Sequence, residues 1–351
     1  MSAKNTALCI LILGLLVSAC GPSLQLRRID AAHRKPANVA VFFSVEDSDG
    51  EPVADLLASD FNIYEDGALV SVDESRQTIV NPEVAATHYT LLLVDMSASV
   101  TESDQVAEVV KAAQAFVTRV ENYQRVSVYA FDGSRKIHEI APFAEKGAEL
   151  GLAKLSSFQT KDPSTNLHGA VVQAVDKLDE ALKRAKAPLR FGTLVVFTDG
   201  TDRAARVPLQ EMLDSIEASD YSIFAIGVGN EIDDTTLSRI GHEGYIRVED
   251  SSALEGAFDQ IGERIVRFTR RYYLLSYCSP ARAGTHQVTI EAVSEGDRGE
   301  LTYEFNAKGF APGCDANRPP PFDTTGKTRR TRRKLGIGPD GRPAPPEQDA
   351  Q

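Results

Sequence analysis

At 351 residues, 42% apolar and 25% charged, the chain has a globular composition with room for one large domain and a smaller one. Its 50 acidic against 38 basic side chains leave a net charge of −12, which argues against general nucleic-acid binding, since that needs a basic face. A domain that binds cations is compatible with such a balance.

The N-terminus reads as an export signal. Lys4 precedes a nearly continuous apolar run over residues 6–17, which includes Cys9, is too short to span a bilayer comfortably and has small residues around it. Val17-Ser18-Ala19-Cys20 resembles a bacterial lipobox. The resemblance implies cleavage before Cys20, a diacylglycerol on its sulfur and anchoring in the cell envelope. Gly21, where Asp would retain the protein, resembles lipoproteins forwarded to an outer membrane, facing either the periplasm or the surface. The alternatives are an ordinary signal cut after Ala19, or a buried helix. With Cys9 removed and Cys20 lipidated, Cys278 and Cys314 remain in an oxidising compartment, where pairing is expected. Two unpaired buried thiols are the other reading.

The expected organisation is a signal peptide at 1–19, a tether at 20–35 and a β segment at 36–82. A domain of alternating elements follows at 87–271, then a second β segment at 272–314 and a disordered basic, Pro-rich tail at 315–351. Residues 39–45 alternate in part, and Asp47-Ser48-Asp49-Gly50 makes a turn before Pro52-Val53. A strand and turn follow over residues 59–67, continued by Val70 and Val72. The clustered Asp residues could suggest a calcium site, but Asp-Gly pairs read more simply as hairpin turns.

Between residues 87 and 271 strands and helices alternate, as in a doubly wound sheet. Strands are expected at 89–94, 125–131, 136–140, 193–198, 222–228 and 244–248, with helices at 106–120, 167–182, 209–218 and 253–271. Asp132-Gly133 makes a tight turn, so the third strand runs antiparallel at the sheet edge. Within this pattern stand three oxygen-bearing clusters: Asp95-Met96-Ser97-Ala98-Ser99, Ser164-Thr165-Asn166-Leu167 and Thr198-Asp199-Gly200. The first and third end the apolar runs Leu91-Leu92-Leu93-Val94 and Leu194-Val195-Val196-Phe197, so they lie at the carboxyl ends of buried strands, where such sheets bind ligands. In a 3-2-1-4-5-6 order strands one and four are neighbours, which brings Asp95 beside Asp199. Hard oxygen donors without His or Cys suit Mg²⁺ first, with Ca²⁺ or Mn²⁺ as alternatives, and disfavour zinc. Helix capping would explain one Asp-x-Ser-x-Ser; it does not explain three clusters in this order.

These clusters resemble the metal-ion-dependent adhesion site of the von Willebrand factor type A domain, over roughly residues 87–271. The resemblance implies that Ser97, Ser99 and Thr165 face a divalent cation, with Asp95 and Asp199 binding directly or through water. It also implies a protein partner whose Asp or Glu completes the coordination, an acidic cell-wall polymer being the alternative. Ser164 departs from the Gly that often precedes the Thr. The phrase Asp60-Phe61-Asn62-Ile63-Tyr64-Glu65-Asp66-Gly67 resembles the strand segment preceding this domain in many bacterial secreted proteins. In the family the last helix can shift on ligand binding, although a static packing helix is the plainer reading.

Strands at 272–277, 286–292 and 301–305 are expected to join those before the domain in one small β-sandwich, since neither segment alone has enough strands to bury a face. The fold class is therefore α/β, doubly wound and mostly parallel with an antiparallel edge strand, plus that sandwich. The basic run 327–334 reads as contact with an anionic surface or as a solvated tail. An enzyme is disfavoured: a dehalogenase-like phosphohydrolase needs a second Asp two residues after Asp95, and Ser97 stands there. Gly227-Val228-Gly229 lacks the third glycine of a dinucleotide fingerprint, and no nucleophile elbow occurs. His168 belongs to the first turn of a helix. The remaining alternative is a structural envelope lipoprotein with an idle site.

Overall fold

The stretch from Asn38 to Glu46 is buried on both faces in the computed structural model, which describes residues 23–80, 86–103, 105–187 and 189–322. The export signal, Cys20 and the basic run 327–334 lie outside the described residues. Five strands precede the central unit: β1 (Leu24–Arg34), β2 (Asn38–Asp47), β3 (Phe61–Glu65), β4 (Ala68–Leu69) and β5 (Thr78–Val80). A short helix, α1 (Val72–Ser75), interrupts them. The central unit carries β6 (Ala86–Asp95), α2 (Ala98–Thr101), α3 (Val106–Val120), β7 (Arg125–Phe131), β8 (His138–Ala141), α4 (Ala153–Ser156) and α5 (Leu167–Arg184). It continues through β9 (Leu189–Thr198), α6 (Leu209–Ala218), β10 (Ser222–Val228), α7 (Asp234–Ile240), β11 (Gly244–Val248) and α8 (Leu254–Arg270). Three strands follow: β12 (Tyr272–Cys278), β13 (Thr285–Ser294) and β14 (Asp297–Asn306).

The central sheet has the order β11-β10-β9-β6-β7-β8, parallel except for β8. Both its faces are covered, which is why its strands are continuous apolar runs. Leu92, Val94, Val195 and Phe197 pack under α3 and α8, while Leu91, Leu93, Leu194 and Val196 pack under α5 and α6. This is the doubly wound, Rossmann-like arrangement read from the sequence.

Two antiparallel sheets, β1-β2-β12-β5 and β14-β13-β3-β4, form the sandwich. Each mixes strands from before and after the central unit, which is therefore an insertion. In β2, Val39, Val41, Phe43 and Val45 face the second sheet, while Ala40 and Phe42 face Ala86 and Leu189 at the start of the central strands. A strand with two apolar partners cannot alternate cleanly, which accounts for its partial pattern. Cys278 and Cys314 form a disulfide joining the end of β12 to the segment after β14. Inside the sandwich the Tyr277 hydroxyl donates to Glu65 Oε1 at 2.7 Å, with both residues buried. Burial and the Glu65 carboxylate raise Tyr277 well above its ordinary range, so it stays a neutral donor. Tyr277→Phe is expected to cost about 1–3 kcal/mol, because it strands a buried acceptor. A denaturant midpoint unchanged from wild type would contradict this.

Three expectations change. The tether was expected through Lys35, but Leu24–Arg34 is a strand paired along β2, with a bulge between Arg28 and Asp30. Before the bulge Leu24 and Leu26 face the sandwich core; after it the parity switches and Ala31 does. One extra residue hides the alternation from a period-two reading. Val72, expected to continue a strand, begins α1 instead, because Ser71 caps it by accepting from Glu74 N. The tail was expected to be disordered from Asp315, but residues 315–322 pack on the sandwich. The carbonyl of Arg318 accepts from Arg34 and Asn38, and the Phe322 ring lies 6.4 Å from that of Phe42.

Candidate metal centre

The β6 run stops at Asp95 because its carboxylate turns back on the chain. Asp95 Oδ1 accepts from Ser97 N at 2.9 Å, and Oδ2 accepts from Thr198 Oγ1, at the end of neighbouring β9, at 2.6 Å. Ser97 occupies the N-cap position of α2, yet its hydroxyl makes no cap hydrogen bond. It lies instead 3.2 Å from Ser99 Oγ. Ser99 Oγ in turn donates to Asp199 Oδ1 at 2.9 Å, across 100 residues of sequence. Thr165, immediately before the α5 cap, is buried; a methyl added at Gly200 would sit 3.8 Å from its Oγ1. Its carbonyl accepts from Arg203 N and Ala204 N, both at 3.0 Å, tying the Thr165 loop to the Asp199 loop. Asp95, Ser97, Ser99 and Asp199 are thus linked at the carboxyl edge of the sheet, and Thr165 lies next to Gly200 on a loop tied to theirs.

The chemistry of this set fits a divalent cation. Three of the five donors are neutral hydroxyls, and among the described residues neither Asp95 nor Asp199 forms an ion pair with a basic side chain. No group of three His, Cys, Asp or Glu side chains able to hold a metal occurs among the described residues, so the hydroxyls are indispensable to the reading. Burial, then the facing Asp199 carboxylate, pushes Asp95 up to about 7. Asp199 is also raised by burial, partly offset by the Ser99 hydrogen bond. Without a cation the folded protein holds a proton on Asp95 that the unfolded chain, with an Asp near 4, releases. Between about pH 4 and 7 the folded state therefore binds more protons, and the stability of the chelated protein is expected to fall as pH rises through that window. Thermal unfolding of EDTA-treated protein at about pH 5 and pH 8 checks this. A melting temperature no lower at pH 8, or an added cation that fails to restore it, would count against the arrangement.

Other residues shape the site. Asp132 was read as part of a tight turn, yet it is a fully buried carboxylate at the end of β7. Its Oδ1 accepts from Ser134 N at 2.8 Å and its Oδ2 from Lys161 N at 2.7 Å, which holds the loop leading to Thr165. Burial raises Asp132, but the hydrogen bonds from Ser134, Lys161 and Asp162 outweigh it and leave the carboxylate below its usual range. A signal for it was present, since Asp132 ends the apolar run Val128-Tyr129-Ala130-Phe131 as Asp95 ends its own. Asp162 Oδ1 accepts from Ser164 Oγ at 2.7 Å, while its Oδ2 pairs with Arg206 at 2.6 Å. Ser164 thus has its own anchor in place of the Gly often found there. Gly133 closes against this loop: a methyl on it would stand 2.1 Å from Ser164 Oγ and 2.4 Å from Asp162 Oδ1. Gly133→Ala is expected to weaken cation binding roughly tenfold by moving the Thr165 loop, as outer-shell changes do. Equal affinity in a calorimetric titration would refute it. His168 lies in the first turn of α5, with Nδ1 3.0 Å from the Val207 carbonyl, facing the 202–207 loop.

A family model described as the von Willebrand factor type A domain matches residues 91–260. No curated protein matches the chain. Among solved structures, the chain is similar to a von Willebrand factor type A protein from Catenulispora acidiphila, with 11% identity and a TM-score of 0.46, over 81% of this chain and 73% of that one. It is also similar to proximal thread matrix protein 1 from the mussel byssus, described with a zinc-occupied MIDAS motif. There the identity is 16% and the TM-score 0.43, over 52% of this chain and 48% of that one. A third similar structure is the manganese-loaded TRAP protein of Plasmodium vivax, with 14% identity and a TM-score of 0.42, over 67% of this chain and 98% of that one.

Proposed function

We propose, from the von Willebrand factor type A match at residues 91–260 and the oxygen cluster at the sheet edge there, that the protein is a metal-dependent protein-binding module. The observation that carries this is the linked set Asp95, Ser97, Ser99 and Asp199, in which the Ser97 hydroxyl is left free of capping duty and two carboxylates face each other in a buried setting. A divalent cation, Mg²⁺ in the first instance, would supply an electrophilic point that accepts an Asp or Glu from a protein partner. Two carboxylates balance its charge, and the hydroxyls of Ser97, Ser99 and Thr165 fill positions without neutralising it further. Asp95 is held by Ser97 N and Thr198, so it is oriented before any ligand arrives. Ser97 stands where a phosphohydrolase would need its acid, and His168 is turned to the 202–207 loop, so the reading is a binding role rather than catalysis. We further propose that Cys20 bears a lipid that anchors the protein in the cell envelope, at the outer membrane. No helix among the described residues is long and apolar enough to cross a membrane.

The test is calorimetric titration of Mg²⁺, Ca²⁺, Mn²⁺ and Zn²⁺ into the chain from Gly21 onward, followed by capture of envelope proteins with and without EDTA. Saturable binding and chelator-sensitive capture are expected. No cation binding, together with capture indifferent to EDTA, would overturn the proposal.

A further inference from the structure

At the amino-terminal edge of the central sheet, the end away from the cation centre, opens a cavity of about 550 Å³. Its walls are the first residues of β6, Arg125 at the start of β7, the turn at Glu145-Lys146 and the stretch 184–187 that leads from α5 towards β9. Among the described residues Arg125, Lys146, Arg184 and Lys186 line it against a single carboxylate, Glu145. This reverses the balance of a chain with 50 acidic and 38 basic side chains. The carboxyl ends of α3 and α5 also reach this cavity, and each carries roughly −0.5 elementary charge. Together with Glu145 they offset about two of the four cations, which leaves a positive surplus. A cleft lined by one sign of charge focuses its field and gathers counter-ions.

Arg125 shows what the cavity takes. Its guanidinium lies 5.7 Å from the centroid of the Tyr89 ring, Nη1 donates to Glu145 Oε1 at 2.7 Å, and Nη2 pairs with the other carboxylate oxygen. The ring holds the guanidinium in place, so its two donors form a fork preset for an oxyanion. Glu145 fills the fork, but its side chain is 76% exposed, and an exposed ion pair is worth at most about 1 kcal/mol. A second carboxylate would gain only what Glu145 already has. A phosphoryl group brings further oxygens, which reach Lys146, Arg184 and Lys186 while the fork is engaged. The volume lies within the range of about 300–1,000 Å³ that holds small ligands.

We infer that this cavity binds a phosphoryl group, carried by a phospholipid headgroup or by a soluble phosphate ester, with Arg125 as its fork. It lies about 30 Å from the cation centre, at ~3.3 Å per residue along the ten residues of β6, so the two ligands do not compete and neither reading depends on the other.

Two measurements on the chain from Gly21 onward, both in EDTA, separate the sources. One is calorimetric titration with glycerol 3-phosphate and pyrophosphate. The other is sedimentation with phosphatidylcholine vesicles with and without phosphatidylglycerol. Saturable binding is expected in at least one, and the arm in which it occurs names the source. Arg184→Ala with Lys186→Ala, both at exposed positions, is expected to weaken it roughly tenfold or more through lost charge-assisted hydrogen bonds, with the melting temperature unchanged. Glu145→Ala, which empties the fork, is expected to strengthen it. Every variant keeps the basic run 327–334, so binding indifferent to all three substitutions belongs elsewhere and overturns the inference. Binding in neither arm overturns it too.

Discussion

Asp199→Ala is expected to weaken divalent-cation binding by more than about 100-fold while leaving the fold intact. Removing outer-shell groups alone costs about 10–100-fold, and Asp199 is one of only two carboxylates in the set. It is the better of the two to remove. Asp95 holds Ser97 N and Thr198 Oγ1, so its loss strands buried donors, whereas Asp199 accepts from the exposed Ser99 hydroxyl. The Asp199 charge is also among the causes that raise Asp95, so its removal relieves repulsion in the cation-free protein. The chelated variant should therefore melt no lower than chelated wild type at neutral pH, and it should lose the stabilisation that Mg²⁺ gives wild type. Calorimetry and thermal unfolding with and without Mg²⁺ read both quantities. A variant that binds Mg²⁺ as wild type does would remove Asp199 from the site. A variant that unfolds in EDTA while wild type stays folded would show a structural role instead.

Breaking the Cys278–Cys314 bridge is expected to lower stability by about 4 kcal/mol, from the loop-closure entropy of a 36-residue separation. The segment after β14 contains no strand among the described residues. It is held by the bridge, by Ala311 N donating to the Pro36 carbonyl, by Phe310 packing 5.8 Å from Phe305, and further on by the Arg318 carbonyl and the Phe322 ring. Freed at Cys314, that segment should loosen first, and the sandwich core around Phe305 and Tyr277 should follow. The double variant Cys278→Ser, Cys314→Ser, unfolded in denaturant beside wild type, measures the difference. Cation affinity should not change. The sandwich meets the central sheet at Ala86 and Leu189, while the site lies at the opposite ends of these ten-residue strands, about 30 Å away at ~3.3 Å per residue. Coincident denaturation midpoints would show that packing alone holds the segment.

Much of this was legible before any coordinates, because the signals are short-range. An apolar run stopped by Asp marks the end of a buried strand, and β6 and β9 carry that mark. The inserted arrangement followed from strand supply, since neither flanking segment could cover a sheet face alone. Other features escaped for reasons visible in the residues. In β1 a bulge at Ile29 switches which side chains face inward, so the apolar pattern has no single period. The stretch Arg318-Pro319-Pro320-Pro321-Phe322 has the composition of a free tail, and only the pocket beside Phe42 makes Phe322 a packing residue. Asp132 was masked by the Gly that follows it, because Asp-Gly is equally the signature of a turn.

The sequence by itself determined the candidate donors and their order: two strand-ending aspartates, two serines and a threonine on turns, with no His or Cys among them. It also determined that the donor set is low in charge, since hydroxyls outnumber carboxylates. The expected strand order already placed Asp95 beside Asp199; only the tertiary structure decided which side chains touch. Ser99 reaches Asp199 because β6 and β9 are hydrogen-bonded neighbours and α2 turns its first residues over the gap between them. Such a contact between residues 100 apart depends on sheet order and on the buried Thr198–Asp95 hydrogen bond between the two strands, which act through space rather than along the chain.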